Sequence, residues 1–90
     1  MGKRESIVQD DKTCFICGNP YVQCHHLYKS HKCRQIADRE GLFIYLCPNH
    51  HHEVHHNREL DLDLMKLGQE IFEKTHTREE FREMFVKSYL

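Results

Sequence analysis

The stretch CPNHHHEVHHN, residues 47–57, holds five of the chain's nine histidines. Imidazole nitrogens and thiolates are the ligands that zinc and its transition-metal neighbours prefer. Cys47-x2-His50 repeats the spacing of Cys14-x2-Cys17. Two such short pairs, set on either side of a hairpin, close a tetrahedron and leave no open position. The reading is therefore a structural Zn²⁺ on Cys14, Cys17, Cys47 and His50. It would pin two strand ends and supply folding energy that a small core lacks. The rival ligand set is Cys14, Cys17, Cys24 and Cys33; the simpler reading leaves Cys24 and Cys33 as buried or idle thiols.

His51 and His55 stand four residues apart, so a helix puts them on one face, where they can share an ion. A third ligand must come from elsewhere. The pair His25-His26 is the other conspicuous histidine feature. Neighbouring strand residues point to opposite faces unless the strand end is twisted. One of the two can bind the ion while the other addresses a substrate beside it. That division suits metal-assisted hydrolysis, with a neutral imidazole taking a proton from water. His52 and His56 share the four-residue spacing but face elsewhere on the helix. With Glu53 they match the H-E-x-x-H pattern of zinc proteases. That reading leaves His25, His26 and both cysteine pairs unexplained, and the 51 residues ahead of the motif carry a knuckle where a protease needs its substrate-binding sheet. His31 and His76 are assigned no role.

These ligands need elements to carry them. Tyr21–Tyr28 reads as a short strand and Lys29–Glu40 as a polar, basic loop with a helical turn at its end. From Gly41, the run LFIYLC has the composition of a buried strand. Pro48 suits the first turn of a helix over HHHEVHHN, and Asn57 is expected to end it in a left-handed turn. Leu60, Leu64, Leu67, Ile71 and Phe72 recur at helical spacing, which predicts an amphipathic helix over Leu60–Thr75. Thr77 and Glu80 form a capping box for a last helix with Phe81, Met84 and Phe85 on its apolar face. The expected class is α+β, with two C-terminal helices behind a small zinc-stapled core.

Ninety residues make one small domain. Residues 1–13 are expected to be a loosely ordered segment and 14–90 the folded unit, with 14–57 as core and 60–90 as helical tail. The net charge is −1, from 13 basic and 14 acidic residues, so the chain as a whole is not a polyanion magnet. The bases Lys29, Lys32, Arg34 and Arg39 nevertheless gather in the middle. No apolar run approaches the ~20 residues of a membrane span, and the start MGKRESIVQDDK has no secretory core. A cytoplasmic, metal-binding protein is expected.

Taken in order, these features resemble the HNH endonucleases, whose fold is the ββα-metal or His-Me finger. The resemblance rests on C-x2-C, His-His on a strand, a basic loop, an apolar strand ending in C-x2-H, then two histidines four residues apart, and covers Cys14 to Asn57. The tail LGQEIFEKTHTREEFREMFVKSYL is similar to the end of small HNH proteins of bacteriophages and prophages. The resemblance implies that His26 is the general base, that His25, His51 and His55 ligate a catalytic ion, and that DNA phosphodiesters are cut with one divalent metal. Three imidazoles suit Mn²⁺, Co²⁺, Ni²⁺ or Zn²⁺ better than Mg²⁺. Lys29, Lys32, Arg34, Arg39 and Arg58 would contact DNA phosphates. A bacterial host cytoplasm and a phage protein partner are further implications; monomer and homodimer stay open. The family's Asn before the second strand has no counterpart among Arg39, Glu40, Gly41 and Leu42. The expectation is that the carbonyl of Gly41 or Leu42 orients His26 instead. The competing reading is a non-catalytic zinc module that binds DNA or protein.

Overall fold

The computed structural model describes residues 5–90, apart from the side chain of His31. Residues 1–4 of the expected flexible segment, and the reading of His31, lie outside the described residues. The order of elements is β1 (Gln23–His26), α1 (His31–Glu40), β2 (Phe43–Leu46), α2 (Pro48–His56), α3 (Arg58–Phe72) and α4 (Arg78–Phe85). The class is α+β, with one two-stranded antiparallel sheet and four helices among the described residues. No helix of the described residues is long and apolar enough to cross a membrane.

β1 and β2 pair with Gln23 opposite Leu46, Cys24 opposite Tyr45, His25 opposite Ile44 and His26 opposite Phe43. A lone two-stranded sheet is marginal in water and must be covered. Here α1 and α2 pack on it, and Ile44 and Leu46 are fully buried. The strand over Tyr21–Tyr28 is shorter than expected. Leu27 and Tyr28 leave the ladder after His26 and enter the core, each with 1% exposure.

The segment Lys29–Glu40 is a helix from His31 onward, not a loop. Ser30 caps it by accepting a hydrogen bond from Cys33 N–H, and Gly41 ends it in the left-handed region at φ 79°. A Cβ on Gly41 would also meet the Glu5 carbonyl oxygen at 2.6 Å. The apolar stripe is only Cys33, Ile36 and Ala37, scattered among charges, so the periodicity is weak in the sequence. Burial against α4 and β1 stabilises what propensity alone leaves undecided.

Residues 6–9 are tied to β2 rather than loose. Ile7 N–H donates to Gly41 O at 2.9 Å, Tyr45 N–H donates to Gln9 Oε1 at 2.9 Å, and Ser6 Oγ donates to Phe43 O. These bonds satisfy backbone groups on the outer edge of β2, the edge that would otherwise invite another strand.

Asn57 differs from its expectation as well. It is extended (φ −124°, ψ 98°), and its side chain accepts from Leu60 N–H. It is the N-cap of α3, so α2 and α3 abut across one residue. α3 spans Arg58–Phe72, two residues earlier at its start and three at its end than the sequence implied. The Thr77–Glu80 capping box is present. Tyr28, Phe72, Phe81 and Phe85 form the aromatic centre, with Tyr28 and Phe85 ring centroids 4.5 Å apart. Each such ring contributes about 1.5–3 kcal/mol by leaving water. The Tyr28 hydroxyl donates to Met65 O at 2.7 Å, which satisfies the one polar atom brought inside. His76 stacks on Phe72 with centroids 4.0 Å apart, a packing role.

Candidate metal centres

Cys14 and Cys17 flank a tight turn in which Gly18 N–H donates to Cys14 O at 2.8 Å. Phe15 N–H donates to Tyr45 O at 2.8 Å and fastens that turn to β2. Cys47 follows β2 directly and is the N-cap of α2, with Pro48 at the first helical position. His50 lies one turn in. His50 Nδ1 is 3.4 Å from Cys14 Sγ and 3.3 Å from Cys47 Sγ, and the sulfurs of Cys17 and Cys47 are 3.9 Å apart. All four ligand atoms lie within 4.8 Å of one another. Zinc bonds of about 2.0–2.3 Å in a tetrahedron separate ligand atoms by roughly 3.5–3.8 Å. The group could hold a zinc ion with small adjustments.

The electrostatics of the thiols fit a cation. Burial pushes the Cys14 thiol up, but backbone N–H groups of Cys47, Cys17 and Ile16 outweigh it and bring it down to about 6. Cys17 moves the other way: a backbone bond at Asn19 favours its thiolate, yet burial and the neighbouring Cys14 and Cys47 sulfurs hold it up. One thiol of the cluster ionises readily, and its charge then resists the next. An ion of charge +2 removes that resistance.

The second cluster joins β1 to α2. His51 Nε2 and His55 Nε2 are 3.3 Å apart, and the His25 ring lies edge-on to both, with centroids 5.3 and 5.9 Å away. The three ligand nitrogens fall within 4.8 Å of one another. His25 is 3% exposed, and its Nε2 is buried without a hydrogen-bond partner. A buried polar atom left unpaired costs about 1–3 kcal/mol, so this orphan nitrogen fits a ligand position. Burial, followed by the neighbouring His51, pushes the His25 imidazole down to about 4. Burial and His55 likewise lower His51. Both shifts favour neutral rings, the form that binds metal. Three protein ligands leave open positions, unlike the four-ligand cluster.

His26 occupies the opposite side of β1 from His25 and shares that side with Phe43, whose ring centroid is 6.0 Å away. Both histidines nevertheless line one open pocket of about 380 Å³, together with Cys24, Lys29, Arg34, His51 and His55. The end of the short strand brings the two faces together. Of the five bases expected at phosphates, Lys29 and Arg34 line this pocket; Lys32, Arg39 and Arg58 are exposed and lie outside its lining. Lys29 is paired with Asp61 at 3.0 Å and Arg39 with Glu40 at 3.2 Å.

Neither carbonyl expected to orient His26 is paired with it. Gly41 O accepts from Ile7 N–H and Leu42 O from Leu27 N–H. Instead, His26 Nε2 lies 3.2 Å from Asp38 Oδ1 on α1. Sequence reasoning missed Asp38 because it missed α1. Cys24, read as buried or idle, is exposed at the pocket. His52 and His56 lie against each other with centroids 4.3 Å apart and planes tilted by 46°, are exposed, and belong to neither cluster. Glu53 stands 4.0 Å from His50 Nε2 at the four-ligand cluster, so the protease pattern is not assembled into a site. Comparison with known proteins adds no relative: no family model, curated protein or solved structure matches the chain.

Proposed function

We propose that the chain is a metal-dependent DNA endonuclease of the HNH type, with a structural zinc and a one-metal hydrolytic site. The observation that carries the reading is one pocket holding a cluster of three imidazoles, a fourth imidazole outside the cluster, and two cationic side chains. The reading is supported by the order β1, α1, β2, α2, which sets His25 and His26 on the first strand and His51 and His55 on the helix after the second.

His25, His51 and His55 would hold the divalent ion, with Mn²⁺, Co²⁺, Ni²⁺ or Zn²⁺ favoured over Mg²⁺ by the nitrogen donors. When bound, the ion supplies positive charge to the phosphate and to the leaving 3′ oxygen. Lys29 and Arg34 hold the DNA backbone at the pocket. His26 takes a proton from a water as that water's oxygen bonds to phosphorus. The bond from phosphorus to the 3′ oxygen breaks, and that oxygen takes a proton from solvent. The products are 5′-phosphate and 3′-hydroxyl ends.

The test is nicking of supercoiled plasmid by zinc-loaded protein with Mg²⁺, Mn²⁺, Ni²⁺ or a chelator, beside His26→Ala. Metal-dependent nicking that His26→Ala loses supports the nuclease. Folded, zinc-holding protein that fails to nick whichever metal is added favours the other reading, a binding module that uses the closed four-ligand cluster alone.

A further inference from the structure

We propose that Asp38 is the positioning residue of His26: it fixes the imidazole in the form protonated at Nε2 and leaves Nδ1 as the nitrogen that meets water. The role of His26 as base is the reading given above; the contact to Asp38 stands apart from it.

His26 Nε2 and Asp38 Oδ1 are 3.2 Å apart, across twelve residues of chain. An ionised carboxylate only accepts hydrogen bonds. The proton of that bond therefore belongs to Nε2, and the neutral ring has its lone pair on Nδ1. Phe43, opposite His26 in the register, packs against the ring with centroids 6.0 Å apart. The ring is thus held through one nitrogen and one neighbouring ring.

The fold accounts for the placement of Asp38. The caps at Ser30 and Gly41 set the bounds of α1, and Cys33 and Ala37 face the core. Asp38 follows Ala37, at the rim of the buried face, and is partly exposed. Arg34 lies one turn earlier on the same side and lines the pocket. One face of α1 thereby brings a carboxylate to the base and a guanidinium to the cleft. The carbonyls of Gly41 and Leu42 already accept from Ile7 and Leu27. The carboxylate takes over a task that a main-chain carbonyl would otherwise perform. It also offsets the positive charge that His26 gains when it accepts a proton.

The experiment has two arms on the full-length, zinc-loaded protein. In the first, long-range ¹⁵N–¹H NMR reads the tautomer of each imidazole. Wild type should show His26 protonated at Nε2, and Asp38→Ala should show a mixture of the two forms. In the second, plasmid nicking with Mn²⁺ gives kcat and KM. Asp38→Ala should lower kcat by roughly 10–100-fold, less than the ~10²–10⁴ of losing a general base outright. KM for DNA and zinc content should not change, which separates positioning from a merely structural role. A wild-type ring protonated at Nδ1, or wild-type kcat in Asp38→Ala, overturns the proposal. If Asp38→Ala does not fold, the wild-type tautomer decides by itself. If wild type never nicks DNA, the nuclease reading fails while the first arm still judges the contact.

Discussion

His25 on β1 and His51 on α2 meet edge to face, with ring centroids 5.3 Å apart and planes inclined by 77°. The buried His25 Nε2 has no other partner, so the contact is costly unless something positive lies between the rings. Zinc-loaded protein should therefore bind a second, exchangeable ion. His25→Ala and His55→Ala should each weaken it by roughly tenfold or more, while His52→Ala leaves it unchanged. Titration with Co²⁺, followed by visible absorbance, measures this. Equal affinity in all three variants would remove His25 and His55 from the site.

The four-ligand cluster should carry much of the stability. Cys14 and Cys17 precede β1, whereas Cys47 and His50 follow β2, so one ion would tie the start of β1 to the end of β2, which the register sets side by side. Structural zinc contributes on the order of 10–16 kcal/mol of apparent binding energy in small domains, comparable to a whole domain's ~5–15 kcal/mol. Chelation should abolish the cooperative thermal transition, and Cys47→Ser should purify without its tight zinc. Metal analysis beside calorimetry checks both results.

Zinc affinity should rise with pH. Cys14, lowered to about 6, is largely thiolate at neutral pH, whereas Cys17 is raised and still carries its proton. Binding must expel the Cys17 proton, so it releases protons at pH 7 and tightens as pH increases. Below about pH 6 the metal-free Cys14 is protonated as well, so binding must release a further proton and affinity falls more steeply with pH. The same sign holds for metal-free stability: a depressed Cys14 stabilises the fold above its unfolded value and loses that contribution as pH falls towards its folded one. Calorimetric titration in buffers of different ionisation enthalpy counts the protons. Proton uptake on binding would contradict this account.

Gly68 sits inside α3, where alanine normally favours a helix by about 1 kcal/mol. A Cβ there would lie 2.6 Å from Leu27 Cδ1 and 2.8 Å from the Tyr28 hydroxyl oxygen. Both side chains are fully buried, and the hydroxyl is held by Met65 O. Gly68→Ala should therefore destabilise by about 1–3 kcal/mol, the usual cost of overpacking. Urea denaturation of the zinc-loaded protein gives the value, and an increase in stability would show that α3 can move away from Leu27 and Tyr28.

The short-spaced pairs within both candidate clusters were legible in the sequence because they are local; that Cys14 and Cys17 meet Cys47 and His50, and that His25 meets His51 and His55, only the fold decides. A C-x2-C turn, a C-x2-H at a helix start and an i, i+4 histidine pair each place two donors side by side without long-range information. The capping box and the apolar periodicity of the C-terminal helices were local in the same way. Asn57 was misread because its side chain caps the helix that follows it, a choice set by where α3 packs. α1 was hidden because its buried stripe is three modest residues among charges, and only burial against α4 and β1 stabilises it. Asp38 went with it. That His26 and Asp38 meet, that His25 is buried with an unpaired nitrogen, and that Lys29 and Arg34 rather than Lys32, Arg39 and Arg58 line the pocket are long-range facts. They depend on how α1 lies on the sheet. Residue type and spacing determined which atoms could bind metal; the packing of α1 and α2 on two short strands decided which side chains face one another.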